Sequence, residues 1–140
     1  MDIKSISHQF SNGVVIINTT PHSIRFQDID GSLIEIPSSV PEGERVGWAL
    51  INAQAEEKVI ADDLIRTIFV GSEEGRALIA TLLKEARTIW PGAKIRLVGS
   101  VIAANAYREV VGMIPASGYE RVPPAEKRMR VDRFNTGNCI

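Results

Sequence analysis

Residues 98–108 bring together side-chain types that bind a phosphorylated ligand. Ser100 follows a glycine at the end of an apolar stretch and is placed to cap a short helix, whose first N–H groups could accept an anion. Near the other end of that helix, Asn105, Tyr107 and Arg108 supply an amide, an aromatic ring and a cation. The alternative is an ordinary strand-to-helix turn whose alanine face packs on a sheet, and the sequence leaves both interpretations open.

The C-terminal region is the second candidate binding segment. Aromatic and basic residues are interleaved there, namely Tyr119, Arg121, Lys127, Arg128, Arg130, Arg133 and Phe134. Such a mixture suits contact with phosphates and bases, but an acid near each basic cluster argues against a track for long nucleic acid. An ordered arm wrapped around a neighbouring subunit explains the pattern equally well, and such an arm could supply arginines to a shared pocket.

Catalytic and metal-binding constellations are not evident in the sequence. The only histidines are His8 and His22, and the one cysteine, Cys139, is far from both in the chain, so no set of ligands has the spacing of a zinc site. There is no nucleophile elbow and no phosphate-cradling glycine motif. We therefore expect no metal, no cofactor and no catalytic residue, although His22 could in principle act as a base rather than cap a turn.

Length and charge restrict the class of protein further. A chain of 140 residues fits one domain, and its net charge of -1 gives no general attraction to nucleic acid or to an anionic membrane. No apolar run approaches the roughly 20 residues of a membrane span, and residues 1–4 do not resemble the start of a signal peptide. These features predict a soluble intracellular protein.

The pattern of apolar residues predicts an α+β fold, with an antiparallel β-rich core, one long and one short helix, and an extended C-terminal arm. Residues 1–118 would form the core domain and residues 119–140 the arm. Strands are expected at 14–18, 23–27, 33–36, 46–51, 64–70, 94–98 and 110–114, and helices at 73–90 and 101–107. Residues 1–12 are expected to be a loose lead-in, and residues 54–63 a loop or a hairpin tip.

A polar corner interrupts the first strands: Ile17-Asn18-Thr19-Thr20-Pro21-His22-Ser23-Ile24. Pro21 keeps the preceding residue out of the helical region and fixes a turn. The corner resembles the opening of a group of small phage-encoded proteins with an Asn-(Leu/Thr)-Thr-Pro-His signature, in which a strand similar to 64–70 precedes a strand-to-helix step similar to 95–106. That group is similar to the first type of Thoeris anti-defence protein, non-enzymatic sponges that sequester the cyclic nucleotide signals of bacterial immune systems.

The resemblance implies a homo-oligomer with helices at subunit contacts and a pocket at the interface between protomers. It also implies a cyclic nucleotide or cyclic ADP-ribose-like ligand, and action in the cytoplasm of the bacterial host. By residue type, an aromatic ring would stack on the base, Asn105 would contact the base or ribose, and arginines would bind the phosphates. The candidate ligand-binding residues are Arg25, Phe69, Ser100, Asn105, Tyr107, Arg108, Tyr119 and Arg121.

The leading hypothesis is therefore a phage anti-defence protein that serves immune evasion by binding a cyclic nucleotide without cleaving it. The first alternative is a phage interaction or assembly protein whose basic tail docks on a partner subunit. A third hypothesis is an enzyme that cleaves nucleotides with His22 as the base.

Overall fold

The computed structural model describes residues 3–38, 51, 53–107, 111–112 and 128–134. Its elements are a 3-10 helix (Ile3–Ile6), strands β1 (Ser7–Gln9), β2 (Val15–Asn18), β3 (Ile24–Gln27), β4 (Leu33–Ile36), β5 (Ala53–Ala61), β6 (Leu64–Gly71), β7 (Ile95–Val98), β8 (Val111–Gly112) and β9 (Met129–Arg130), and helices α1 (Glu73–Ile89) and α2 (Val101–Ala106). The predicted α+β class, with one long and one short helix, is confirmed.

The first sheet has the strand order β1-β2-β7-β8. Strand β1 runs antiparallel to β2, whereas β7 runs parallel to both β2 and β8. Parallel neighbours need a crossover connection, and α2 lies in the connection between β7 and β8. All four residues of β2 are buried, as expected for a strand inside a mixed sheet.

The second sheet has the order β4-β3-β9. The strands expected at 23–27 and 33–36 are confirmed and pair as a hairpin: Asp28 N donates to Ser32 O over 2.8 Å, and Gly31 takes the positive φ of 91° that favours glycine in such turns. Strand β9 comes from the predicted C-terminal arm and runs parallel to β3, and Val131 beside it is fully buried. Residues 128–134 of the arm therefore pack on the chain's own core, whereas residues 119–127 and 135–140 lie outside the described residues.

The third sheet is the antiparallel hairpin β5–β6. The expected strand at 64–70 is confirmed and pairs with an earlier strand. Most of residues 54–63 belong to β5, and only Asp62 and Asp63 form the turn. The expected strand at 46–51 lies outside the described residues except for Ile51, which is buried; of the strand expected at 110–114, the described part is β8.

The prediction of a loose lead-in at residues 1–12 is wrong. Ile3 and Ile6 lie on one side of the 3-10 helix and are buried in the core, as is Phe10. The loop after β1 is attached to the turn of the β3–β4 hairpin, because Ser11 Oγ donates to the Asp28 carboxylate over 2.8 Å. These three apolar side chains have the i, i+3, i+7 spacing of one helical face, but the segment is short and otherwise polar, and its polar composition favours a loop.

Strand β2 separates two hydrophobic cores. Val15 and Ile17 face the core that contains α1, whereas Val14 and Ile16 face the core formed with β3, β4 and Val131. This division follows from the alternation of side chains along a strand. The helix expected at 73–90 is confirmed as α1. Its residues Ile79, Leu82 and Ala86 lie at helical spacing, form an apolar stripe and are buried in the first core.

Candidate functional site

The polar corner is closed by the side chain of Asn18, which is fully buried. Its Nδ2 lies 2.8 Å from His22 O, 3.0 Å from Pro37 O and 3.2 Å from Ile36 O. Its Oδ1 accepts hydrogen bonds from Thr20 N at 2.9 Å and from Thr20 Oγ1 at 2.6 Å. One amide thus joins the end of β2 to the turn that follows it and to the end of β4.

The next residue fastens the corner to β7. Thr19 is buried, and both its backbone N and its Oγ1 donate to Val98 O, at 2.9 and 2.7 Å. The side chain of His22, by contrast, is exposed, and its backbone supplies the carbonyl that Asn18 uses. Because the amide and hydroxyl groups of Asn18, Thr19 and Thr20 bond within the protein, the signature residues form a structural corner rather than a surface for ligand contacts.

The predicted binding residues fall into two separate groups. Arg25 is exposed on β3, opposite Glu35 in the second sheet. The other predicted residues that are described, Phe69, Ser100, Asn105 and Tyr107, belong to β6 or to α2 and its caps, and α2 packs against β6. Arg108, Tyr119 and Arg121 lie outside the described residues.

Ser100 caps α2 as expected, since its hydroxyl accepts a hydrogen bond from Ala103 N over 3.1 Å. The helix has six residues, and Ala103 and Ala104 on its inner side are buried. The cap occupies the hydroxyl, and so short a helix has a small dipole. The geometry therefore favours the strand-to-helix turn over the anion site at this point.

Tyr107 is fully buried, and the prediction that its ring stacks on a ligand does not fit this position. Ser72 N donates to Tyr107 Oη over 2.8 Å. Two glycines make room for the ring: a Cβ on Gly71 would lie 2.4 Å from its Cε1, and a Cβ on Gly75 would lie 2.0 Å from its Oη. The ring is thus a packing element between the end of α2 and the start of α1, a contact between distant segments that no local pattern signals.

Arg76 is a functional candidate that the sequence did not suggest. It is exposed on the first turns of α1, and its guanidinium carbon lies 5.9 Å from the centroid of the Tyr107 ring. Its Nη1 donates to Gly71 O over 3.3 Å. The signal that could have revealed it is the run Gly71-Ser72-Glu73-Glu74-Gly75-Arg76, in which two glycines flank a helix cap at the end of a strand.

Phe69 lies on the same side of β6 as the Tyr107 ring. Residues 67, 69 and 71 share one face of the strand, and the face of Gly71 is the one against Tyr107. Phe69 is therefore about 7 Å along the strand from Gly71, and its side chain is 39% exposed. We call the group formed by Phe69 of β6, Arg76 of α1 and Asn105 of α2 the α2–β6 surface; Asn105 is exposed, and α2 packs against β6.

Charges near this surface decide where an anion would be held. Glu73 and Glu74 occupy the first turn of α1, where carboxylates offset the positive end of the helix dipole. These carboxylates make the helix N-terminus unfavourable for an anion, and the cation beside it is the Arg76 guanidinium. In the C-terminal segment, Arg130 Nε and Nη2 each lie 2.7 Å from a carboxylate oxygen of Asp132, and this hydrogen-bonded pair lowers the pKa of Asp132.

Comparisons with protein-family models, curated proteins and solved structures found no match. Within the described residues, no cluster of three or more histidine, cysteine, aspartate or glutamate side chains is placed to hold a metal ion. In the same part of the chain, no helix combines the length and the apolar character needed to cross a membrane.

Proposed function

We propose that this protein captures a small nucleotide-like anion by reversible binding at the α2–β6 surface. In this proposal it is a phage anti-defence protein that sequesters a cyclic nucleotide or cyclic ADP-ribose-like immune signal in the host cytoplasm and does not cleave it. Sequestration needs a site that binds phosphate and base together, and it needs no acid–base pair.

The observation that carries the proposal is the position of Arg76. Its guanidinium is exposed, yet it is held by the Tyr107 ring at 5.9 Å and by Gly71 O at 3.3 Å. A side chain already fixed by the protein loses less conformational freedom when a ligand arrives. Arginine also presents paired donors that match two phosphate oxygens, so charge-assisted hydrogen bonds would form at low entropic cost.

The neighbouring groups suit the rest of a nucleotide. Phe69 offers an exposed aromatic face, and stacking of a base on such a ring is worth about 1–3 kcal/mol. Asn105 is exposed, and its amide is of the type that hydrogen-bonds a base edge or a ribose hydroxyl. Arg108 follows the cap of α2 directly in sequence, and with Arg121 it remains a proposed phosphate ligand, although both lie outside the described residues.

Ligand recovery tests the proposal. Purified protein is mixed with a panel of cyclic nucleotides, the unbound fraction is measured, and the protein is then denatured by heat. Depletion of one nucleotide followed by release of the intact molecule is the expected result. Release of an altered nucleotide would instead support the enzyme with His22 as base, and the absence of any depletion would contradict both.

A set of arginine variants tests the site itself. Loss of a charge-assisted hydrogen bond costs about 1.5–3 kcal/mol, so R76A is expected to weaken capture roughly tenfold to a hundredfold. R76K should bind at an intermediate level, because lysine keeps the charge and loses the paired donors. The matched control is R87A, which removes an exposed arginine from the last turn of the same helix. Equal affinities of R76A and R87A, with unchanged circular dichroism, would exclude Arg76 from the site.

The second candidate is an interaction or assembly protein; the sequence analysis assigned its docking to the basic tail, whereas the exposed apolar hairpin β5–β6 favours docking through the hairpin. Val59, Ile60, Leu64 and Ile65 are each more than half exposed near its tip, and a contiguous exposed apolar patch is typical of an interaction site. Under this hypothesis the protein depletes no nucleotide in the recovery experiment and instead forms a stable complex through the hairpin.

A further inference from the structure

One edge of strand β6 has, within the part of the chain that the structure describes, no strand beside it and few of the residues that prevent pairing. Within the described residues β6 pairs with β5 and with no other strand. Proteins normally guard such edges with charges, prolines or bulges. Strand β5 carries Glu56, Glu57 and Lys58, and its ladder has a register shift between Val59 and Ala61. Over its eight residues, β6 contains one charged side chain and no proline.

The hairpin also exposes more apolar surface than an isolated two-stranded ribbon tolerates. Leu64 is 56% exposed and Ile65 is 54% exposed, and both lie near the tip. A two-stranded hairpin alone is marginally stable in water, and further strands or a packed cover are needed. Among the described strands, the edge of β6 opposite β5 is where a further strand can be added.

We propose that the β6 edges of two copies of this chain pair antiparallel across a two-fold axis, so that the two hairpins form one four-stranded sheet. Thr67 lies at the axis, opposite the partner's Thr67. This dimer does not depend on ligand binding, and it goes beyond the proposed function because it assigns the edge that joins the subunits.

The sequence of β6 suits pairing with itself. A two-fold axis places one residue opposite its own copy and pairs the residues at equal distances on either side. With Thr67 at the axis, Ile65 lies opposite the partner's Phe69, and threonine faces threonine. Both kinds of cross-strand pair are favourable. Moving the axis to Arg66 would oppose two like charges, which disfavours that register.

The other edge of the hairpin is a poor candidate for the same pairing. An axis at Glu56, Glu57 or Lys58, which form the middle of β5, would place a charged residue opposite its own copy. Self-pairing of β5 is therefore disfavoured near its centre, and the register shift near its end disrupts the ladder there. Charge and ladder geometry both select β6 as the edge that pairs.

The paired sheet would also join the apolar residues of the two hairpins. In each hairpin Val59 lies opposite Ile65, and Ala55 lies opposite Phe69. Across the proposed interface, Val59 and Ile65 therefore form one continuous row with the partner's Phe69 and the partner's Ala55. The two-fold axis generates the same row a second time, which gives the four-stranded sheet an apolar face that each hairpin alone has only in part.

Disulfide trapping tests the register. In a C139S background, T67C brings two cysteines face to face, with Cα atoms about 4.5–5.5 Å apart, which lies within the range of a disulfide. We expect a covalent dimer in air on a non-reducing gel. The matched variant I65C should give none, because Ile65 and the partner's Ile65 are about 13 Å apart along the strands. Cross-linking of I65C in place of T67C would overturn the register.

Introducing a charge at the axis tests the interface in the full chain. The mass is measured by light scattering over a concentration series. T67K should raise the dissociation constant at least about tenfold, because two lysines meet at the axis. Within its own hairpin the new lysine lies opposite Glu57, so the substitution should not lower the stability of the hairpin. The control E57K introduces the same side chain one strand away from the axis and should remain dimeric.

Mixing two variants completes the test. E57K/T67E reverses the charge pair within the hairpin and is monomeric alone for the same reason as T67K. Mixed with T67K, it should form a one-to-one heterodimer, since opposite charges then meet at the axis. A monomeric wild-type protein, or a dimer that T67K leaves intact, would overturn the proposal and indicate that a segment of the same chain covers β6 or that another surface joins the subunits. Nucleotide capture is measured separately, so either proposal can fail without the other.

Discussion

Replacing Asn18 with leucine is expected to destabilise the protein by about 3–5 kcal/mol, a large part of the 5–15 kcal/mol that stabilises a typical domain. The change leaves three buried or half-buried carbonyls without the Nδ2 donor, those of His22, Ile36 and Pro37. It also removes the acceptor of Thr20 N and one of the two acceptors near Thr20 Oγ1, which keeps His22 O at 2.9 Å. In a chain of this size the melting temperature should fall by roughly 10–20 °C, as measured by calorimetry.

The isosteric variant N18D separates hydrogen-bond donation from shape. One oxygen of the new carboxylate would still accept hydrogen bonds from Thr20. The other would face three carbonyl oxygens, and an ionised carboxylate has no hydrogen to donate to them. Desolvation and these oxygens raise the pKa of the introduced carboxyl group in the folded state. A raised pKa means that stability is lost as the pH rises through it. N18D should therefore approach the wild type in stability on acidification and fall furthest below it at neutral pH.

His22 provides the control for the same corner. Its side chain is exposed, and the corner uses its backbone carbonyl. H22A is therefore expected to change stability by less than about 0.5 kcal/mol, although the residue belongs to the same signature. If H22A were as damaging as N18L, or if N18L melted with the wild type, the buried amide would not be what closes the corner.

Local signals in the sequence were sufficient for the elements that local forces determine. The hairpin β3–β4 follows from the turn residues Asp28 and Gly31, and helix α1 follows from the cap at Ser72 and from its apolar stripe. Each of these depends on residues close together in the chain. The α+β class was predictable for the same reason.

Contacts between distant segments were not predictable in this way. The parallel pairing of β2 with β7 joins Val15 to Ile95, and β9 joins Phe26 to Met129. No turn or period in the sequence marks such pairs. The contact that makes Arg76 a candidate was not predictable for the same reason: the ring near its guanidinium belongs to Tyr107, 31 residues later in the chain. The sequence analysis named Tyr107 as a ligand contact, whereas the structure buries its ring against Gly71 and Gly75.

Replacing Gly75 with alanine is expected to destabilise the protein by about 2–3 kcal/mol, a cost typical of overpacking. In an ordinary helix the same change stabilises by about 0.5–1 kcal/mol. Here the added Cβ would lie 2.0 Å from Tyr107 Oη and 2.7 Å from its Cζ. The ring must then leave its position, and the hydrogen bond from Ser72 N is lost with it. A77G, at an exposed position of the same helix, measures the ordinary difference between glycine and alanine. Its free energy of unfolding should fall by about 0.5–1 kcal/mol.

A double-mutant cycle with Y107F identifies why G75A lowers the stability of the protein. Removing the hydroxyl eliminates the 2.0 Å contact and leaves the one at 2.7 Å, so G75A should cost less in the Y107F protein than in the wild type. Contacting residues show coupling of about 0.5–3 kcal/mol, whereas independent sites are additive. Additivity would mean that Gly75 does not make room for the ring. Coupling, together with weakened nucleotide capture by G75A, would indicate that the ring supports Arg76, since displacing Tyr107 removes the surface over which the guanidinium is held.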